Sequence, residues 1–132
     1  MQPGPGSEPA AFALVKLAVD RNAGRWFWHT CCKTQYASVE GTENLLRCHC
    51  SLVALLDAAT RVGIECVVRD EAGYWDSRIE TELIARVEEM NRIIARFAGA
   101  FADKFVEAGG EARQVEGEIF HHPDFERLET PD

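Results

Sequence analysis

One long amphipathic run limits the fold more than any other part of the chain. Ile79, Leu83, Val87, Met90, Ile94, Phe97, Phe101 and Phe105 recur at steps of three and four, which sets them in one stripe on a helix. Ser77-Arg78-Ile79-Glu80 in front of the run reads as a capping box, the serine hydroxyl accepting from one exposed helical N–H while the glutamate reaches back to another. Glu82 with Arg86 and Glu88 with Arg92 are i,i+4 pairs in the favourable orientation, and Gly109-Gly110 closes the run. About thirty residues at 1.5 Å each give a rod of roughly 45 Å, longer than a small domain is wide. Such a helix either breaks near Gly99 or lays its far half, at Phe97, Phe101 and Phe105, on another subunit. The expected partner is a second copy of the chain, joined through this helix, because cyclic dimers are the commonest oligomers.

The remaining chain has to supply something for that helix to cover. A length of 132 residues suits one domain. Residues 1–9 hold three of the five prolines and read as a flexible tail, residues 10–128 as a single domain, and residues 129–132 as a C-terminal tail. Two apolar runs, 10–19 and 25–33, flank the turn residues 20–24 and predict a β-hairpin, with residues 34–48 as a loop. Ser51 is placed to cap a helix carrying Leu52, Leu55, Leu56, Ala59 and Val62 to a stop at Gly63. The β-branched run Ile64–Arg69 and the weaker run Val115–Phe120 read as strands. The order β-β-α-β-α-β predicts an α+β two-layer fold, a sheet of about four strands under two helices, the second one long.

Charge narrows the partners. The formal net charge is −8, and all of it falls in the second half, where sixteen acids face eight bases. Nucleic acid is bound by clustered Lys and Arg that displace counterions, and no such cluster is present. An anionic membrane surface is disfavoured by the same repulsion, and no apolar run reaches the roughly 20 residues of a membrane span. Residues 1–9 lack the basic and apolar parts of a secretory signal. With five cysteines, an odd number, this points to a reducing cytoplasm rather than a disulfide framework.

Two groups of residues carry possible chemistry. His29, Cys31, Cys48 and Cys50 offer two imidazole or thiolate ligands from each of two segments, the donor types zinc prefers in a tetrahedral site; Cys32 and His49 extend the cluster. The spacing, one residue between ligands rather than two to four, departs from that of most structural zinc sites. A cysteine at a helix start beside a histidine also suits a thiol nucleophile, although no acid near it in sequence would orient the imidazole. The second group is Asp70, Glu71, Tyr74, Trp75 and Arg78, where carboxylates, aromatics and a cation gather at the entry to the long helix and make a candidate ligand-binding turn. Arg78 in a first helical turn opposes the helix dipole, so it calls for a carboxylate such as Asp70 or Glu71, or for an anionic ligand. No phosphate loop, dinucleotide fingerprint, HExxH or nucleophile elbow occurs, and no residue is assigned as catalytic. The sequence therefore describes a small acidic cytoplasmic binding or protein-interaction domain, the alternative being a zinc-binding or thiol protein built on Cys31, Cys32, Cys48 and Cys50.

Overall fold

Helix dominates where a sheet was expected. The computed structural model describes residues 1–16, 24, 26–111 and 117–130, and of these 57% are helical and 3% lie in strands. Strands β1 (Val15–Lys16) and β2 (Trp26–Phe27) pair antiparallel, Val15 opposite Phe27 and Lys16 opposite Trp26. They form the only sheet among the described residues. The four-stranded α+β fold is thus replaced by a mainly helical one. A 3₁₀ turn at Gln35–Glu40 leads into helix α1 (Thr42–Arg61), followed by the single-turn α2 (Tyr74–Ser77), the long α3 (Glu80–Glu107), a second 3₁₀ turn at Glu118–His121 and the short α4 (Phe125–Glu129).

The lost strands have a common cause. A β-branched run becomes a strand only where a neighbour supplies the hydrogen-bond ladder. Among the described residues Ile64–Arg69 has no such neighbour and runs as irregular chain, leaving Val67 94% exposed. Of the run 115–120, Glu118–Phe120 coil into the second 3₁₀ turn, while residues 115 and 116 lie outside the described residues.

Helix α1 begins nine residues before Ser51. Gly41, at φ 97, reverses the chain after the 3₁₀ turn, and its carbonyl accepts the Leu45 N–H at 3.1 Å to open the helix. Ser51 is therefore interior, and Cys48, His49 and Cys50 lie on the helix rather than ahead of it. Gly63, at φ 90, ends α1 where the sequence placed its stop.

The entry to α3 also differs from a capping box. Ser77 closes α2, its hydroxyl accepting the Ile79 N–H at 3.3 Å, and Ile79 rather than Ser77 occupies the cap position. Arg78 sits between the two helices in the left-handed region, at φ 58, a conformation that lets the chain change direction in one residue. From there α3 runs unbroken through Gly99 to Glu107.

Two apolar clusters hold the helices together. Leu45, Ala72, Leu83 and Val87, with Leu46, Tyr74 and Met90 around them, join α1 and α2 to the first half of α3. Ala95, Ile119 and Leu128, flanked by Tyr36, Ile94, Ala98, Phe120 and Phe125, join its second half to the C-terminal segment and to the first 3₁₀ turn. Gly99 is buried where α4 crosses, and the Glu129 side chain occupies the space a β-carbon would need. Between the clusters Asn91, 2% exposed, accepts from Gln35 Nε2 at 2.8 Å and donates to Ser38 Oγ at 2.9 Å. Both ends of that buried amide are thus satisfied.

Residues 1–10 close a loop of their own. The Met1 ammonium donates to the Ala10 carbonyl and the Ala10 N–H to the Met1 carbonyl, at 2.8 and 2.7 Å. Asn44 on α1 donates to the Pro5 carbonyl at 3.0 Å, and the Glu8 N–H donates to the Lys33 carbonyl at 2.8 Å. Gly6 lies at φ 73 against the Tyr36 carbonyl, where no side chain would fit.

Candidate functional site

Three polar side chains from distant parts of the chain meet on the inner face of α1. His49 follows Leu45 by one helical turn, so it shares the stripe that continues through Leu52, Val53 and Leu56. Thr34 stands at the start of the first 3₁₀ turn, its carbonyl accepting the Ala37 N–H at 3.0 Å. Asp70 opens a tight turn closed by the Gly73 N–H to the Asp70 carbonyl at 3.1 Å, with Gly73 at φ 77. The Asp70 carboxylate accepts the Ala72 N–H at 3.0 Å and the Trp75 N–H at 2.8 Å, a local arrangement natural to aspartate in turns. His49 Nε2 then lies 3.2 Å from Asp70 Oδ2, and Thr34 Oγ1 lies 2.8 Å from His49 Nδ1.

Charge decides which nitrogen bears the proton. Burial is the largest influence on Asp70 and pushes its carboxyl up, but it is outweighed by the hydrogen bonds from His49, Trp75 and Ala72 together with the imidazole's charge, which leave it at about 2. Asp70 is therefore a carboxylate and can only accept. His49 Nε2 donates to it, and in the neutral ring Nδ1 keeps its lone pair to accept the Thr34 hydroxyl. The ring is held further by Tyr74, edge-on at 5.7 Å between centroids.

This trio borders a cleft of about 580 Å³. Phe12, Trp28, Leu52, Leu56 and Met90 supply apolar lining, and Thr34, His49 and Asp70 supply polar groups among them. Trp28 is fixed by its indole N–H donating to the Ala11 carbonyl at 3.0 Å and by Phe12 at 4.8 Å between ring centroids. Lys33, Arg69, Glu65 and Glu71 also line the cleft, two charges of each sign beside the Asp70 carboxylate that His49 engages.

The ligand-binding turn expected from the sequence is divided. Asp70 and Glu71 line the cleft. Tyr74 lies against His49 and its phenol is raised above the usual value by a hydrogen bond with the Cys50 thiol. Trp75 lies beneath the Arg78 guanidinium at 4.7 Å. The carboxylate that Arg78 needs is neither Asp70 nor Glu71: it is Asp57 of α1, held in a two-pronged pair at 2.6 and 2.9 Å. Arg78 is thus a clasp between α1 and the α2–α3 corner. Arg78→Ala, which loses the pair but keeps a β-carbon in the left-handed region, is expected to melt below Arg78→Gly, which loses the pair and removes the strain. Both should melt below the parent protein, and thermal scans of the three proteins check that order.

The proposed zinc ligands are dispersed. His29 and Cys31 stand exposed at the cleft, whereas Cys48 is buried on the face of α1 turned toward Gly4 and Asn44. Cys50 keeps company with Tyr74. Cys32 donates to the Glu8 carbonyl, and burial, with the nearby Glu8 charge, raises its thiol above the ordinary value. All five cysteines are free thiols. Among the described residues no three His, Cys, Asp or Glu side chains come together as a metal would require.

Thr34 and the role of His49 escaped the sequence reading, which tied His49 only to its cysteine neighbours. The accessible clue is the helical spacing Leu45, His49, Val53 and Leu56, which a loop over residues 34–48 conceals. Among the described residues no helix is long and apolar enough to cross a membrane. No family model matches the chain, and neither the curated proteins nor the solved structures contain a match to it.

Proposed function

We propose that this protein is a small ligand-binding domain whose cleft beside Thr34, His49 and Asp70 takes a compact, largely apolar molecule without net charge. The observation that carries the reading is the cleft itself: about 580 Å³ falls within the roughly 300–1,000 Å³ usual for small-molecule sites, and such sites pair apolar walls with a few placed polar groups. Aromatic and aliphatic lining favours an apolar body; with the Asp70 carboxylate engaged by His49, the remaining lining charges, Lys33 and Arg69 with Glu65 and Glu71, cancel in sign and favour neither an anion nor a cation. The net charge of −8 argues against nucleic acid and anionic membranes as partners. The free thiols suit a reducing compartment, and the cytoplasm is the proposed location.

A fragment screen by NMR with neutral, apolar molecules tests the reading. Bound fragments should shift the resonances of the His49 ring and the Met90 methyl. Leu56→Trp, which fills the cleft from α1, should weaken the best fragment more than tenfold, about 1.4 kcal/mol, with the melting temperature nearly unchanged. Fragments that leave the cleft resonances unmoved, or that bind Leu56→Trp equally well, would exclude the proposal.

A further inference from the structure

The outer face of α3 carries an apolar ridge that the other described residues leave open. Ile93, Phe97 and Phe101 are 62%, 74% and 55% exposed, while α4 and the C-terminal segment cover the opposite side at Ala95 and Gly99. Contiguous apolar surface on a helix marks an interaction site. What distinguishes this ridge is the charge at its ends. Arg86 and Glu89 pair with each other at one end, at 3.6 Å, and Lys104 and Glu107 at the other, at 2.9 Å. Helical periodicity puts residues 86, 89, 93, 97, 101, 104 and 107 within about 120° of arc and along roughly 32 Å of axis.

We propose that a second copy of this chain covers the ridge, its α3 lying antiparallel on the first with the two-fold axis at Phe97. In that register Phe97 meets the partner's Phe97 and Ile93 meets the partner's Phe101. The charges then fall in complementary order: Glu89 comes within one residue, about 1.5 Å along the axis, of the partner's Lys104, and Arg86 within one residue of the partner's Glu107, both within side-chain reach and each occurring twice by symmetry. A parallel arrangement would set Glu89 on Glu89 and Lys104 on Lys104, stacking like charges along the seam, which disfavours that pairing. A two-fold contact needs a self-complementary surface, and this ridge, with apolar residues centred on Phe97 and opposite charges on its two sides at distances that agree to within one residue, is one. The proposal is independent of the cleft, since its residues lie outside it.

Sedimentation equilibrium over a wide concentration range reads the result. The full chain should move from 14.7 kDa to twice that mass as concentration rises. Phe97→Glu, at a site exposed in the single chain, should remain monomeric throughout while keeping its helical circular dichroism. Glu89→Lys and Lys104→Glu should each weaken dimerisation by about fivefold or more, and the double variant should recover the parent affinity to within about twofold, because the opposite charges are then exchanged rather than lost. A chain that stays monomeric at every concentration, a mass that climbs beyond the dimer, or a double variant no better than either single would each overturn the antiparallel register. If Phe97→Glu dimerises as the parent does, the interface lies elsewhere and the proposal is equally overturned.

Discussion

Asp70→Asn is expected to destabilise the protein by about 2 kcal/mol, within the range found when buried hydrogen-bond donors lose the group that accepts from them. The Asp70 and His49 side chains are each 11% exposed, so neither can recover full solvation when the other is changed. The carboxylate also accepts two backbone N–H groups in the turn before α2; an asparagine amide offers one accepting oxygen and directs its own hydrogens at the remaining donors. Urea unfolding should show a lower midpoint with an unchanged slope. A loss below about 0.5 kcal/mol would mean that the trio contributes little to the fold.

The same residue predicts a pH dependence with a definite sign. Its folded-state value of about 2 lies below the ordinary 3.8, so its stabilisation is complete above the unfolded value and is lost as pH falls through about 2. The protein should lose up to about 2 kcal/mol from this source between pH 4 and pH 2. Asp70→Asn should lack that part of the acid sensitivity, and urea midpoints at the two pH values for both proteins measure it. Equal acid sensitivity in the two would assign the loss to other carboxylates.

Leu83→Ala is expected to cost about 3 kcal/mol through lost burial and the cavity left behind. Leu83 is fully buried in the first turn of α3, among Leu45, Ala72 and Val87, where α1, α2 and α3 converge. A loss of that size is a large part of the 5–15 kcal/mol that usually holds a domain folded. Val62→Ala, at a site 77% exposed, removes apolar atoms without opening a cavity and should stay within about 0.5 kcal/mol. Chemical denaturation of both variants checks the contrast. Similar losses at the two sites would show that the first cluster does not act as a close-packed core.

The identity and length of α3 are determined by the sequence alone, because the information is local. Its apolar steps of three and four, its i,i+4 pairs and the glycines after it all act within a few residues, and helix hydrogen bonds never leave the segment. Gly63 ended α1 for the same reason. Capping was less legible: Ser77 and Glu80 have the right spacing, but Arg78, clasped to Asp57 twenty-one positions earlier, puts a corner between them.

Which residues α3 buries was settled only by what lies against it. Phe97 and Phe101 have the size expected of core residues and are exposed, whereas Ala95 and Gly99, too small to stand out in a hydrophobic pattern, are buried. The reason is steric: α4 can approach closely only where the helix surface is small. Strands suffer a related ambiguity, since Ile64–Arg69 has the residues of a strand but a ladder requires a second segment at the right distance. The trio at the cleft is further still from any local pattern. Thr34, His49 and Asp70 are separated by fifteen and twenty-one positions, and each has ordinary uses where it stands in the sequence. Only the folding of α1 between the two turns brings the hydroxyl, the imidazole and the carboxylate within hydrogen-bonding distance, so that their electrostatics exist in the tertiary structure and not before it.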